Sequence, residues 1–241
     1  MMGWFLWLLA IGVLFSVDLP LKAATLPPGF AEERINPPPG NIWTQALGIY
    51  FEPNGRMYVL ERAGRVWIQD YGSTDWNVLV DIRDEVGAWD DQGCLGFAVD
   101  PNFRVNGNIY LMYVVDRHHL MNFGTPAYDP NANDYRSATI GRITRYTARA
   151  SDGFKSVDYA SRRVLVGQSK TNGFPILYTS HGVGSLVFGT DGTLLAACGD
   201  GASWQSSGAD LGSAPETYFA QALADGIITP KENVGGFRAQ L

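Results

Sequence analysis

Gly184-Ser185-Leu186-Val187-Phe188, Gly189-Thr190-Asp191-Gly192 and Thr193-Leu194-Leu195-Ala196 form an apolar run, a block of turn formers and a second apolar run. Two short apolar stretches around Gly, Asp, Asn or Pro describe a β-hairpin, because those residues take the backbone angles a tight reversal needs. The pattern occurs twice earlier. Leu47-Gly48-Ile49-Tyr50-Phe51 leads through Glu52-Pro53-Asn54-Gly55 into Arg56-Met57-Tyr58-Val59. Leu95-Gly96-Phe97-Ala98-Val99 leads through Asp100-Pro101-Asn102-Phe103 into Gly107-Asn108-Ile109-Tyr110-Leu111. Further strands are predicted at 65–68 and 76–80 after the first hairpin, and at 140–147 and 163–166 after the second. About four strands per unit is the blade of a β-propeller. The chain is therefore predicted to be all-β, with about three blades.

Propellers close with about 4–8 blades. Three cannot close a ring, so the chain is expected either to be part of a longer propeller or to have its open strand edges covered. The segment 116–138, rich in Asn, Asp, Pro and Tyr, is predicted to be an ordered loop, and a short helix is predicted from Pro215-Glu216 to Ala224, ended by Gly226.

The first residues carry an address. Trp4 to Val17 is an unbroken apolar run of 14 residues. A membrane-spanning helix needs about 20 and a signal-peptide core about 7–15. Ala23 and Ala24 offer a cleavage point before Thr25, so 1–24 reads as a signal peptide and 25–241 as an exported body, secreted or periplasmic, with no membrane span after cleavage. No Lys or Arg precedes the run, which keeps an uncleaved anchor as the alternative. The 18 basic and 24 acidic residues give a net charge of −6, which disfavours nucleic acid as a partner. Cys94 and Cys198 lie in apolar strands and read as small buried hydrophobes rather than a disulfide framework. No Cys/His spacing suggests a zinc site.

Three histidines could do acid–base chemistry. His118 and His119, in the 116–138 segment, read as solvated loop groups. His181 differs: it stands between small residues in Ser180-His181-Gly182-Val183-Gly184, which leaves room for a ligand beside the imidazole. If the hairpin turns on Thr190-Asp191, His181 pairs with Asp200; if it turns on Asp191-Gly192, Asp200 faces Val183. Either way the imidazole and the carboxylate share one end of the hairpin. A carboxylate there can set the imidazole tautomer and raise its basicity. Asp200 could equally cap the Gly199-Asp200-Gly201 turn.

The stretch SHGVGSLVFGTDGTLLAACGDG (180–201) resembles the signature of the glucose/sorbosone dehydrogenase family, with Ser180 in place of Asn and Thr190 in place of Pro. DDQGCLGFAVDPNF (90–103) and LPPGF (26–30) with LGIYFEPNGRMYVLERAGRVW (47–67) are similar to further family segments, in family order. The resemblance implies a six-bladed propeller and an exported quinoprotein oxidising a sugar or related polyol, using pyrroloquinoline quinone (PQQ) with calcium and passing electrons to an external acceptor. It implies that His181 takes the substrate hydroxyl proton during hydride transfer to the quinone, that Asp200 supports His181, and that Asp91 lines the cofactor cavity. Calcium ligands and the cofactor-clamping Lys and Arg are expected outside this chain.

Two other readings compete. A metal-dependent propeller lactonase would need oxygen ligands converging on a cation, and Asn54, Asn102 and Asp191 are explained as well by turn chemistry. A non-catalytic sugar- or protein-binding propeller would present loops 116–138 and 203–236, with Tyr128, Tyr135, Trp204 and Tyr218 exposed.

Overall fold

A computed structural model describes residues 25–201, 203 and 216–229. The segment 1–24 expected to be a signal peptide, Trp204 and the expected helix start at Pro215 lie outside the described residues. Backbone contacts divide the chain into two units, 1–36 and 37–241. The described part of the first, 25–36, has no helix or strand and carries one turn, with Phe30 N–H donating to Pro27 O at 3.2 Å.

The second unit is mostly β, built from antiparallel sheets. β1 (Ala46–Phe51), β2 (Met57–Glu61), β3 (Arg65–Gln69) and β4 (Trp76–Asp81) form one four-stranded sheet in chain order. β5 (Cys94–Val99), β6 (Asn108–Val114), β7 (Thr139–Ala148) and β8 (Val157–Val166) form a second, and β9 (Phe174–Ile176) pairs with the start of β7. β10 (Val183–Phe188) and β11 (Leu194–Cys198) form a third. All three predicted hairpins are present, and so are all four of the additional strands.

The turns correct one expectation. The third hairpin uses neither two-residue turn. Gly189 N–H donates to Thr193 O at 2.8 Å, leaving Thr190-Asp191-Gly192 as a three-residue turn. The first hairpin closes identically around Pro53-Asn54-Gly55, with Glu52 N–H donating to Arg56 O at 2.9 Å. Gly55 and Gly192 each sit at the third position with φ of 83° and 82°, a left-handed conformation that a Cβ disfavours. The middle hairpin replaces the turn with a short helix, α1 (Phe103–Asn106).

A second repetition was invisible in the residue pattern. Each leading strand slips register once near its start: between Ala46 and Gly48, between Cys94 and Gly96, and between Val183 and Leu186. A bulge of this kind turns the strand's first residues away from the ladder below it. Its recurrence at one place shows that the three units repeat in backbone as well as composition.

The core explains why β6 reads as a continuous apolar run. Successive side chains of a strand face opposite ways. Ile109, Leu111 and Tyr113 pack with Tyr58, Leu60 and Ile68 of the first sheet. Met112 and Val114 pack with Val183 and Leu186 of the third. β6 is thus buried on both faces between the neighbouring sheets, as a strand in stacked propeller blades would be.

Segment 116–138 departs from a plain loop. It contains α2 (Arg117–Asn122), N-capped by the Asp116 carboxylate, which accepts from His118 N–H at 2.8 Å. His119 is therefore not solvated but buried, stacked on Phe123 with ring centroids 4.5 Å apart, and its Nδ1 lies 3.1 Å from the Tyr128 hydroxyl. Burial lowers its pKa, against the opposing pull of Glu85. Tyr128 and Tyr218 are half-buried rather than exposed, while Tyr135 is exposed. The C-terminal helix runs from Phe219 to Asp225 (α3) and ends at Gly226, and it buries Phe219 and Ala222. Cys94 and Cys198 are free thiols; burial raises both pKa values, Cys198 to about 11. Among the described residues, no helix is long and apolar enough to cross a membrane.

Candidate functional site

His181 stands just before β10, and Asp200 just after β11. The three-residue turn shifts the ladder by one residue, and the bulge between Val183 and Leu186 shifts it back, so Val183 pairs with Cys198. Continued outward, that register sets His181 opposite Asp200. Gly199 N–H donates to Gly182 O at 2.6 Å, and Gly201 N–H to His181 O at 3.0 Å, which carry the pairing to the hairpin mouth. There the His181 Nδ1 and Asp200 Oδ1 meet at 2.8 Å.

His181 adopts a φ of 56°, a left-handed conformation that costs a non-glycine residue about 1–2 kcal/mol. Such strain persists only where the surroundings over-determine it. Here the two glycine-rich flanks do so. A Cβ on Gly199 would lie 2.5 Å from the His181 carbonyl oxygen, so the opposing strand crosses directly against the histidine backbone. Gly199→Ala is expected to cost about 1–3 kcal/mol through overpacking and to lengthen the His181–Asp200 contact. A denaturation midpoint and the histidine NMR signals would check both effects.

The side chains of His181 and Asp200 are 45% and 53% exposed. An ion pair this open to water adds little stability, so its geometry needs a different explanation. The Nδ1 bond to a carboxylate fixes the tautomer with the proton on Nδ1, which leaves Nε2 as a lone-pair acceptor directed away from Asp200. The arrangement can take a proton from a hydroxyl group.

Two buried polar atoms lie beside the histidine. Ser180 Oγ and Gln92 Oε1 have no hydrogen-bond partner among the described residues. Gln92 is fully buried, its amide nitrogen donates to Tyr178 O at 3.0 Å, and a Cβ on Gly182 would come within 2.2 Å of its Oε1. Gln92 thus occupies the wall next to His181. A signal for it exists in the sequence: Gln92-Gly93 stands at the same offset before the second hairpin as His181-Gly182 before the third.

Asp91 is exposed, held by its backbone N–H to Thr179 O at 3.3 Å. Asp90 pairs with Arg136 at 3.0 Å. The structure therefore brings His181 and Asp200 together, packs Gln92 against Gly182 and leaves the Asp91 side chain exposed on the adjoining loop. Asn54, Asn102 and Asp191 lie at the turn end of their hairpins, away from His181. Asn54 and Asp191 serve their own turns, accepting from Arg56 N–H at 3.2 Å and Thr193 N–H at 2.9 Å. Among the described residues, no group of three or more His, Cys, Asp or Glu side chains is placed to hold a metal ion.

A family model described as Glucose / Sorbosone dehydrogenase matches residues 43–221. Hedgehog-interacting protein of Homo sapiens is 27% identical over 164 residues, covering 65% of this chain and 21% of its own length. HIPL1 protein of Arabidopsis thaliana is 27% identical over 135 residues, covering 51% of this chain and 19% of its own length. The chain thus spans about a fifth of the length of these curated relatives. Among solved structures, the PQQ-bound aldose sugar dehydrogenase of Streptomyces coelicolor is 17% identical with a TM-score of 0.43, over 69% of this chain and 41% of that one. The apo form of the soluble aldose sugar dehydrogenase of Escherichia coli is 21% identical with a TM-score of 0.41, over 66% and 39%.

Proposed function

The chain belongs to the glucose/sorbosone dehydrogenase family, and from that premise we propose that it carries the proton-accepting centre of an exported, PQQ-dependent sugar or polyol dehydrogenase built as a six-bladed propeller. The observation that carries this reading is the 2.8 Å contact between His181 Nδ1 and Asp200. His181 Nε2 takes the proton of the substrate hydroxyl. Asp200 holds the Nδ1–H, orients the ring and stabilises the imidazolium that forms. Quinone, when bound, would supply the two-electron acceptor for the hydride leaving the same carbon, with an external acceptor taking the electrons onward. The residues present fit the acid–base half of this chemistry: an accessible imidazole, an orienting carboxylate, and the orphan Gln92 amide oxygen in the adjacent wall. Asp91, exposed on the loop that bonds Thr179 O, lines the cofactor cavity in this reading, with buried Gln92 behind it.

In this reading Trp4–Val17 is the core of a signal peptide, so the body 25–241 works in a periplasmic or extracellular space. Calcium is supplied with ligands from outside this chain. The test uses the whole protein incubated with PQQ and calcium. Binding is read by quinone absorbance, and turnover by dye reduction with a panel of aldoses and polyols. Quinone binding with sugar-dependent dye reduction supports the proposal; failure of both overturns it.

The relationship to Hedgehog-interacting protein favours a second reading, in which the fold serves as an interaction module and the His181–Asp200 pair is retained without turnover. That reading is supported if the protein binds no quinone yet captures a protein ligand unaffected by His181→Ala.

A further inference from the structure

Away from His181, a cavity of about 260 Å³ opens between α2 and the β7–β8 ribbon. Arg142, Arg162, Gln168, His119, Phe123 and Val164 are among its lining residues. It shares no lining residue with the His181–Asp200 pair.

The charge around this cavity does not balance. Arg142 Nη1 and Arg162 Nη2 both donate to one oxygen, Oε1 of Glu85, each at 2.6 Å. The Tyr113 hydroxyl donates to the same oxygen. Two guanidinium groups therefore share a single carboxylate, and one positive charge is left over. No Asp or Glu lines the cavity to offset it. His119 does not add to the charge, because burial favours its neutral form. Arg142 is 6% exposed and rigidly held, with its Nε donating to Gly167 O at 2.7 Å. Arg162 has a 31% exposed side chain, and its Nε–H is buried without a partner among the described residues. Preorganised, partly desolvated and under-neutralised guanidinium groups are suited to an oxyanion.

The lining chooses among oxyanions. Phe123, stacked on His119, and Val164 line the same cavity as the cations. A planar carboxylate matches the guanidinium forks, and the hydrocarbon body of an organic acid has Phe123 and Val164 to lie against, which an inorganic anion does not use. We infer that the Arg142–Arg162 cavity is a binding site for a small organic carboxylate.

The probe is benzoate, added to the full chain at constant ionic strength and followed by calorimetry and by the shift in melting temperature. Saturable binding is expected, with inorganic phosphate weaker and benzyl alcohol, which lacks the charge, without effect. Arg162→Gln should weaken benzoate by about tenfold or more, the usual loss for a charge-assisted hydrogen bond. Because Arg162 also touches Glu85, Gln168→Glu provides an independent variant. Gln168 is exposed, and a carboxylate there repels the ligand without touching the core. The inference is overturned by the absence of saturable benzoate binding, by equal affinity in both variants, or by phosphate binding as tightly as benzoate.

Discussion

His181→Ala is expected to lower sugar-dependent dye reduction by about 10²–10⁴-fold, the contribution of one positioned general base, while quinone affinity stays within a few-fold of the parent. The loss should fall on kcat, because the imidazole acts on the proton in flight rather than on the resting sugar. Two features of the structure make the experiment clean. The side chain is half exposed, so its removal leaves no cavity in the core. The backbone at 181 is left-handed, so His181→Asn, which tolerates that conformation better than alanine, serves as a second variant with the same chemical defect and less strain. If either variant kept full turnover, His181 would not be the base. Asp200→Asn should give a smaller loss, since it disturbs the tautomer and orientation of a base that remains present.

Glu85→Ala is expected to cost about 3–5 kcal/mol of stability, because removing one member of a buried ion network strands the others. Glu85 lies in the turn after β4, yet its carboxylate meets Tyr113 of β6, Arg142 of β7 and Arg162 of β8. One side chain thus ties the first sheet's exit to three strands of the second. The side chains of Glu85 and Arg142 are 7% and 8% exposed, too dry for water to replace the lost partner. Denaturant unfolding with an unchanged m-value would check the effect.

The same carboxylate gives a pH dependence of definite sign. Burial alone would raise the Glu85 pKa, but Arg162 and Arg142 outweigh it and hold the group below its ordinary value of 4.5. A depressed carboxylate stabilises the fold at pH values above the unfolded pKa and loses that contribution as pH falls through the folded one. Stability should therefore decline below about pH 4.5, and the decline should be shallower in Glu85→Gln, which has nothing to titrate.

Much of this molecule was written locally. Three turn blocks between apolar runs determined three hairpins, because Gly55 and Gly192 supply backbone angles that few other residues take cheaply. The extra strands followed from the same short-range alternation. Segment 116–138, expected to be an ordered loop, contains a helix of six residues, too short for its periodicity to show. His119 is buried there because Phe123 and Tyr128 fold back onto it, and no spacing in the chain announced that contact.

At the candidate site, His181 and Asp200 were legible as residues of one hairpin end, but their register was open between two alternatives. A three-residue turn and a compensating bulge decided it. The offset of Gln92-Gly93 marked the position in the sequence, but its place beside the third hairpin was decided by tertiary packing. Gln92 packs against Gly182, next to His181, because the second and third units stand side by side. Hydrophobic pattern and turn chemistry act over a few residues, so the sequence by itself determined which strands exist and which two side chains close the third hairpin. Only the tertiary structure decided which wall faces the imidazole and where the surplus guanidinium charge gathers, because both arise where separate sheets and α2 meet.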